Sequence, residues 1–277
     1  MSRRHPPALF HRMPYGFGPT PGPRQGPDGT PFAWVATPFR TTASVTYLSD
    51  GARLARLLPP GFTLEGEPLV TVDISYLTAL EWLAGRGYNL LGVRFPARFK
   101  GARDEAVGLF LAVLWENLAD PILSGREELG YAKLWCEIPE PRVLGGRLSY
   151  RGAWLGHTFV ELELSELGPV APNHPAVPSL PRNDGTLHYK YVPRTGAPGE
   201  ADAAYATLTP ATGGHATIDA VSVGKGAVAF RRSTWEQIPT MAHIVNALAD
   251  LPVIEIRDAR LVKAHGGKDL SDQRRLD

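Results

Sequence analysis

The stretch TFVELELSEL, Thr158 to Leu167, alternates apolar and polar residues one by one. Val160, Leu162 and Leu164 fall on one side of an extended chain, and the polar residues between them fall on the other. Because successive side chains of a strand point to opposite faces, this stretch predicts a strand in a sheet with one buried face and one wet face.

Other stretches have a similar short period or a short apolar run, bounded by Gly, Pro or Asp. VGLFLAVLW (107–115) is apolar on both faces, so we place it in the centre of a sheet. The others are SVTYL (44–48), LVTVDISYL (69–77), LHYKYV (187–192), ATIDAVSV (216–223) and VIEIRDARLV (253–262). Strands at this density indicate a β-rich protein.

Helix signals are few, and each rests on a capping residue. The predicted helix starts are Asp50, Ser124 with Glu127 as a capping box, and Ser233 with Glu236 as another. Pro239 lies inside the last segment and should kink or restart that helix. The pattern predicts an α+β, β-rich fold, a barrel or strongly curved sheets with a few helices packed outside.

The first forty residues contain so much Pro and Gly that neither a helix nor a central strand is expected there. We predict an extended N-terminal arm over residues 1–40, followed by a single domain over residues 41–277. The arm has aromatic surface that could pack along the body or a neighbouring subunit, at Phe10, Tyr15, Phe17, Phe32 and Trp34.

The composition excludes several classes of partner. The 29 Lys and Arg nearly balance the 28 Asp and Glu, so no broad field of one sign would attract nucleic acid or an anionic membrane. No signal peptide and no run of 18 apolar residues is present, and the single cysteine, Cys136, cannot form an intramolecular disulfide. We expect a soluble, cytoplasmic protein.

Motifs for nucleotides, metals and serine nucleophiles are missing. The chain has no P-loop, dinucleotide glycine fingerprint, H-E-x-x-H helix or G-x-S-x-G turn. The eight histidines never pair at i,i+4, which leaves a metal only a site assembled from distant strands. We therefore expect no cofactor and no metal.

The local sequence around Lys133 supports two interpretations. As a cation near a helix C-terminus it would offset the helix dipole and lay its stem on apolar surface. Its apolar neighbours could instead strip water from the amine and make it a nucleophile. Cys136 also has two interpretations: a small apolar residue of the core, which we favour, or a nucleophile.

Three stretches resemble one known family. SGREELGYAK (124–133) is similar to the segment that carries the Schiff-base lysine in acetoacetate decarboxylase and its relatives. LPPGFTLEGEPLVTVDI (58–74) resembles the family's Pro-rich turn and following strand, and MAHIVNALADLPVIEIRDARLV (241–262) its C-terminal helix, link and last strand. The resemblance covers about residues 40–265.

The resemblance implies a cone-shaped β-barrel with flanking sheets and a few outer helices, usually in homo-oligomers. It places Lys133 on the iminium-forming lysine and Arg40 on an active-site arginine. Asp73 falls where a glutamate is usual, and Tyr88 keeps its motif position.

At two positions the chain departs from the decarboxylase. Leu134 replaces a second lysine directly after the first, and Leu90 replaces an active-site glutamate two residues after the tyrosine. We expect both leucines to contact the substrate. Other members of the superfamily are aldolase-dehydratases or cyclising enzymes that act on 2-oxo acids, so that branch is also a candidate.

A nucleophilic lysine must be neutral, whereas an ordinary lysine, with a pKa of about 10.4, is almost entirely protonated at pH 7. With Leu134 after Lys133, desolvation is left as the chief cause that could favour the neutral amine. We expect the amine to lie in an enclosed apolar cavity near Arg40 and Asp73.

Proton transfer and substrate binding need further groups. The candidate proton shuttles are, in order, Asp73, Tyr88 and Glu116, and Arg40 is the candidate carboxylate clamp. Each has a plain structural alternative: a backbone contact for Asp73, a core aromatic for Tyr88, a solvated strand end for Glu116 and a surface ion pair for Arg40.

The leading hypothesis is a cofactor-free, Schiff-base-forming lyase that acts on a small oxo acid, with weak or absent decarboxylation because Leu90 removes the usual carboxylate. The alternative within this class is an aldolase-dehydratase that condenses pyruvate or another 2-oxo acid with an aldehyde. In another class, a non-catalytic barrel would use Lys133 only to pair with a ligand carboxylate.

Overall fold

The computed structural model describes residues 14–18 and 22–277. The described residues form three α-helices, α1 (Gly51–Ala55), α2 (Ala119–Ser124) and α3 (Ala242–Ala249), with 3-10 turns at Tyr15–Phe17 and Glu81–Leu83 and a π-helical turn at Gly125–Leu129. The strands are β1 (Phe39–Leu48), β2 (Phe62–Leu64), β3 (Leu69–Leu80), β4 (Arg86–Lys100), β5 (Glu105–Glu116), β6 (Lys133–Trp135), β7 (Arg142–Leu144), β8 (Arg147–Trp154), β9 (His157–Val170), β10 (Gly185–Pro193), β11 (Ala201–Pro210), β12 (Thr217–Phe230), β13 (Glu255–His265) and β14 (Arg274–Arg275).

All of these strands belong to one mixed sheet. Its order is β14-β11-β10-β5-β4-β3-β1-β13-β12-β9-β8-β7, with β2 on β4 and β6 on β5. The parallel pairings among the described strands all involve β5 and lie along one of its edges: β10 pairs with residues 108–110 and β6 with residues 114–116. The β-rich α+β class predicted from the sequence is confirmed.

Strand β9 has the predicted two faces. Val160, Leu162 and Leu164 are fully buried in the core, while Glu161 and Glu163 remain partly exposed. The central position of VGLFLAVLW is also confirmed, because β5 lies between β4 and β10 and its Trp115 is fully buried against Phe159 of β9.

Strand β4 was not predicted, although it is fifteen residues long. Its apolar run is interrupted by Arg94, Pro96 and Arg98, and a proline argues against a central strand. Here Pro96 pairs with Leu109 of β5 inside the sheet. Of these three residues, Arg94 faces a cavity, and this role is visible only in the assembled sheet.

The helix caps are confirmed at one of the predicted starts. Asp50 caps α1, with its Oδ1 accepting a hydrogen bond from the Arg53 N–H at 2.8 Å. The predicted box at Ser124 is wrong: Ser124 is the last residue of α2, which begins five residues earlier, and its hydroxyl donates back to the carbonyl of Pro121.

The box predicted at Ser233 is also wrong. The N–H of Thr234 donates to Gln237 Oε1 at 2.9 Å, one residue later than expected, and the Ser233 N–H donates to the Asn246 side chain. As expected from Pro239, the regular helix restarts only at Ala242. No helix in the described part of the chain is long and apolar enough to cross a membrane.

The described part of the arm packs against the end of the domain. The Gly267 N–H donates to the Trp34 carbonyl at 2.8 Å, the Gly266 N–H donates to the Pro38 carbonyl, and Arg24 donates to the Asp269 carbonyl. Tyr15 and Phe17 are exposed, and Phe10 lies outside the described residues. The arm is thereby fixed beside the segment that follows β13.

Cys136 lies directly after β6 and is fully buried in the core, where burial raises the pKa of its thiol. This agrees with the core interpretation of that residue. We therefore predict that a thiol-reactive disulfide reagent labels Cys136 slowly in the folded protein and rapidly in denaturant, because the thiolate is the reactive form. Equal rates in the two conditions would contradict the buried assignment.

Candidate active site

A cavity of about 430 Å³ lies against one face of five neighbouring strands, β10, β5, β4, β3 and β1. Because side chains alternate along a strand, every second residue of these strands faces it. On β4 these residues are Tyr88, Leu90 and Arg94. The arm and the segment after β13 contribute Arg24, Trp34, Pro38 and residues 266–270 to its walls.

The structure brings together most of the residues that the sequence singled out. Those that line the cavity are Arg40, Asp73, Tyr88, Leu90, Glu116 and Lys133. Leu134 does not line it, because it follows Lys133 on β6 and points to the opposite face, where it packs against the core. The expectation that Leu134 contacts substrate is therefore wrong.

The amine of Lys133 is buried, with 6% of the residue exposed, so the solvated-cation interpretation is wrong. Its Nζ lies 2.9 Å from Glu116 Oε1 and donates to the carbonyl oxygen of Pro121, also at 2.9 Å. The expectation of a purely apolar pocket needs correction, since a carboxylate and a carbonyl contact the amine.

Strand pairing explains why Lys133 and Glu116 meet. Strand β6 runs parallel to the end of β5, so Lys133 lies beside Leu114 and the next residue of β5 on the same face is Glu116. Gly125 leaves room for the lysine stem: a Cβ at position 125 would lie 2.5 Å from Lys133 Cε and 2.7 Å from its Nζ. Any side chain at this position would displace the amine.

Glu116 is fully buried, which overturns the interpretation of a solvated strand end. Burial raises the pKa of its carboxyl above the ordinary value, and the nearby Lys133 ammonium opposes that rise. Oε1 contacts the amine as an ion pair, but neither oxygen of Glu116 has a hydrogen-bond partner among the described residues. Glu116 therefore has a free oxygen for exchanging protons beside the amine.

A second ion pair lies across the cavity. Arg94 Nη2 contacts the buried Asp73 at 2.8 Å, so Asp73 pairs with a side chain rather than with the backbone. Burial raises the pKa of Asp73, while Arg94 and Arg40 oppose the rise. A Cβ at Gly92 would lie 3.1 Å from Asp73 Oδ1, so glycine there keeps the pair unobstructed.

Arg40 lines the cavity and is also exposed to solvent. Arg94 contacts Asp73 and Arg40 lines the same cavity, so two guanidiniums accompany one carboxylate. The surplus positive charge makes this side of the cavity suited to an anion such as a carboxylate.

Aromatic side chains and one histidine form the remaining wall near the amine. Burial, reinforced by Glu116, raises the pKa of Tyr88 well above its ordinary value. Tyr131 stacks on His188 with ring centres 3.9 Å apart, and Nζ of Lys133 lies 5.3 Å from the Tyr131 ring centre. Burial raises the pKa of Tyr131 to about 12.

Sequence reasoning missed Arg94, Tyr131 and His188. Arg94 lies an even number of residues after Tyr88 on one strand, so strand parity could have found it once β4 was recognised. His188 lies in LHYKYV, where it alternates with the core residue Leu187. No group of three or more potential metal-ligating side chains occurs within residues 14–18 and 22–277.

The acetoacetate decarboxylase family model matches residues 12–266. The chain belongs to the acetoacetate decarboxylase family. The match begins inside the N-terminal arm, whereas the resemblance of the sequence motifs covers about residues 40–265. No curated protein sequence matches the chain.

Solved structures of the family superimpose over most of the chain. An acetoacetate decarboxylase has a TM-score of 0.65 at 17% identity, covering 91% of this chain and 94% of that one. The enzyme from Legionella pneumophila has a TM-score of 0.60 at 19% identity, covering 84% and 87%. These likenesses confirm the family fold.

A third similar structure is the enduracididine biosynthesis enzyme MppR, in complex with the condensation product of pyruvate and imidazole 4-carboxaldehyde. Its TM-score is 0.63 at 16% identity, and 98% of this chain and 99% of that chain are covered. Enzymes with different chemistry thus share this fold, so the fold by itself does not specify the reaction.

His188 supplies a pH-dependent test of this geometry. Burial, with Arg94 and Lys133 nearby, lowers its pKa from 6.5 to about 3. Below pH 6.5 the imidazole of the unfolded chain becomes protonated, whereas the buried imidazole of the folded chain stays neutral. The free energy of unfolding therefore decreases as the pH falls. We predict that the difference in unfolding free energy between the unsubstituted protein and His188→Gln falls by about 1 kcal/mol per pH unit between pH 6 and 3.5. Denaturant titrations measure it, and a flat difference would contradict the burial of a neutral imidazole.

Proposed function

We propose that this protein is a Schiff-base-forming lyase that acts on a small oxo acid, with Lys133 as the nucleophile. The observation that carries the proposal is the buried Lys133 amine, which faces a cavity beside a buried carboxylate. The family membership supports it, because the segment that carries Lys133 resembles the segment of the family's iminium lysine.

Glu116 offers a way to make the amine neutral. In a buried ion pair, moving the proton from Nζ to the carboxylate yields two neutral groups and avoids keeping separated charges out of water. The burial that raises the pKa of Glu116 favours this transfer. Desolvation thus acts on the pair and not on the lysine alone.

The same proton can complete iminium formation. The neutral Nζ attacks the ketone carbon to give a carbinolamine, and the protonated Glu116 then donates its proton to the departing hydroxyl. Water leaves, a protonated iminium remains on Lys133, and Glu116 returns to the carboxylate form. One residue at 2.9 Å therefore suffices for both proton transfers.

The substrate carboxylate has a counterpart across the cavity. Arg40 and Arg94 offer guanidinium groups, and together with Asp73 they have a net positive charge. A carboxylate bound there would place the rest of a small oxo acid in the cavity that Lys133 also lines. This arrangement supports the choice of oxo acids over neutral ketones.

The loss of a glutamate at position 90 does not leave the amine without a carboxylate. Leu90 of β4 is paired with Glu116 of β5, and the two neighbouring residues face the same cavity. The carboxylate is therefore supplied from the adjacent strand, and Glu116 ranks first among the proton shuttles. Asp73 ranks last, since its contact is with Arg94 and not with the Lys133 amine.

Two lyase reactions can follow the iminium. A 3-oxo acid loses carbon dioxide, and the electrons of the broken bond pass to the iminium nitrogen. A 2-oxo acid instead loses a proton from the adjacent carbon to Glu116, and the enamine attacks an aldehyde. The free Oε2 of Glu116 favours this aldolase-dehydratase reaction as the second candidate.

A protein that only binds a small molecule remains the alternative of another class. Such a protein would use the ammonium of Lys133 to hold the ligand's carboxylate. That use is disfavoured because Glu116 already offsets the charge of the amine. A ligand carboxylate would have to displace a buried partner, at a cost of several kcal/mol.

Reduction of the enzyme and ligand with borohydride tests the nucleophile. We expect that acetoacetate or pyruvate, followed by borohydride, adds the mass of the reduced ligand to the peptide that contains Lys133. Lys133→Met should abolish the adduct, whereas Lys225→Met, which removes an exposed lysine on β12, should leave it unchanged. No adduct with any oxo acid, or an adduct spread over surface lysines, would refute the proposal.

The same reaction mixtures separate the two lyases. We predict weak carbon dioxide release from acetoacetate and a new enone absorbance when pyruvate and an aldehyde are supplied together. Rapid release of carbon dioxide without any enone would instead identify a decarboxylase, and would refute this prediction, which rests on the carboxylate lying on β5 rather than at position 90 of β4.

Gly125→Ala tests the placement of the lysine. The added methyl would overlap the Lys133 stem, with Cε at 2.5 Å, so we predict at least a tenfold slower adduct formation in borohydride trapping. Gly168→Ala is the matched control, since a Cβ there meets nothing within 4 Å. An unchanged trapping rate in Gly125→Ala would show that the amine does not depend on this close approach.

A further inference from the structure

His188 is buried on β10 and lines the cavity, but no step of the proposed reaction uses it. Its Nδ1 is buried without a hydrogen-bond partner among the described residues. A buried polar atom without a partner costs about 1 to 3 kcal/mol, so its role depends on whether Nδ1 donates or accepts.

The hydrogen bonds behind the His188 ring determine whether Nδ1 donates or accepts. Gln273 Nε2 donates to the Leu129 carbonyl oxygen at 2.8 Å, and a carbonyl can only accept, so the orientation of the amide is fixed. Gln273 Oε1 therefore faces Thr209 Oγ1, at 2.5 Å. Since Oε1 can only accept, Thr209 must give it its single hydroxyl proton.

Thr209 Oγ1 can then only accept from its other neighbours. The Tyr131 hydroxyl donates to it at 2.7 Å, and His188 Nε2 lies 3.0 Å away. His188 must therefore have its proton on Nε2. Because the lowered pKa, about 3, keeps the ring neutral, Nδ1 presents an unshared electron pair and is an acceptor.

A second unpartnered group lies in the same cavity. Arg94 Nε is buried and has no acceptor among the described residues, and Arg94 and His188 line the same cavity. Arg94 Nε is thus a donor without an acceptor, and His188 Nδ1 is an acceptor without a donor. A carboxylate or ketone oxygen would satisfy only Arg94, whereas a hydroxyl can accept from Arg94 and donate to His188.

We infer that His188 is a specificity-determining residue that accepts a hydrogen bond from a hydroxyl group of the substrate, with Arg94 Nε as the donor to that hydroxyl. Combined with the proposed function, on which this step rests, the preferred ligand is a hydroxylated oxo acid rather than a simple one. Neither acetoacetate nor pyruvate offers this hydroxyl.

Two substitutions separate the acceptor from the rest of the ring. In His188→Gln the amide nitrogen lies near the position of Nε2 and can still donate to Thr209, but nothing replaces Nδ1. In His188→Asn the amide oxygen lies near the position of Nδ1 and can still accept. Thermal unfolding of both variants verifies that the fold is retained.

The experiment measures dissociation constants by calorimetry for two pairs of ligands: hydroxypyruvate against pyruvate, and 4-hydroxy-2-oxobutanoate against 2-oxobutanoate. We expect the unsubstituted protein to bind at least one hydroxylated member about tenfold more tightly than its partner. This preference should fall to less than twofold in His188→Gln and recover at least partly in His188→Asn.

The outcomes distinguish the two proposals. No hydroxyl preference in the unsubstituted protein, or an equal preference in His188→Gln, overturns the role of His188. Borohydride trapping of the same ligands reports on Lys133 independently. A hydroxyl preference without any Lys133 adduct would refute the lyase and retain the hydroxyl site, and an adduct without the preference would do the reverse.

Discussion

The site depends on the contact between the Lys133 amine and the Glu116 carboxylate, 2.9 Å apart and out of water. An isolated charge of either sign at this depth would be costly, so neither residue could stay charged there without the other. Three local features secure the pair: the parallel pairing of β5 with β6, the absence of a side chain at Gly125 and the carbonyl of Pro121. A buried pair can redistribute one proton without charging the interior, which suits a reaction that needs a neutral amine.

The functional side chains of the cavity are grouped by strand. On β1, β3 and β4 lie Arg40, Asp73 and Arg94, whose surplus positive charge suits a carboxylate. Strands β5 and β6 supply the reacting pair, and β10 supplies His188 as a neutral acceptor. These residues come from distant parts of the chain, and the alternation of side chains along neighbouring strands directs them to one space. The arm and the segment after β13 complete the walls.

Sequence patterns predicted the strands well where apolar residues alternate, as in β9, and poorly where function interrupts the alternation, as in β4 with Arg94 and Pro96. The family resemblance selected Lys133 when local context alone favoured a solvated end. It could not reveal that Glu116 meets the amine, because this proximity arises from β5 and β6 pairing in parallel. It also misplaced Leu134, since one step along a strand reverses the face. The homo-oligomer and the cytoplasmic location stay predictions.

A crystal structure of the borohydride-reduced complex with a small 2-oxo acid tests the central claim most directly. The account predicts continuous electron density from Lys133 Nζ to the former ketone carbon, with the ligand carboxylate against Arg40 and Arg94 and Glu116 beside the new bond. A ligand that is not bonded to Lys133, with its carboxylate against the ammonium and Glu116 displaced, would contradict the account and indicate a binding protein.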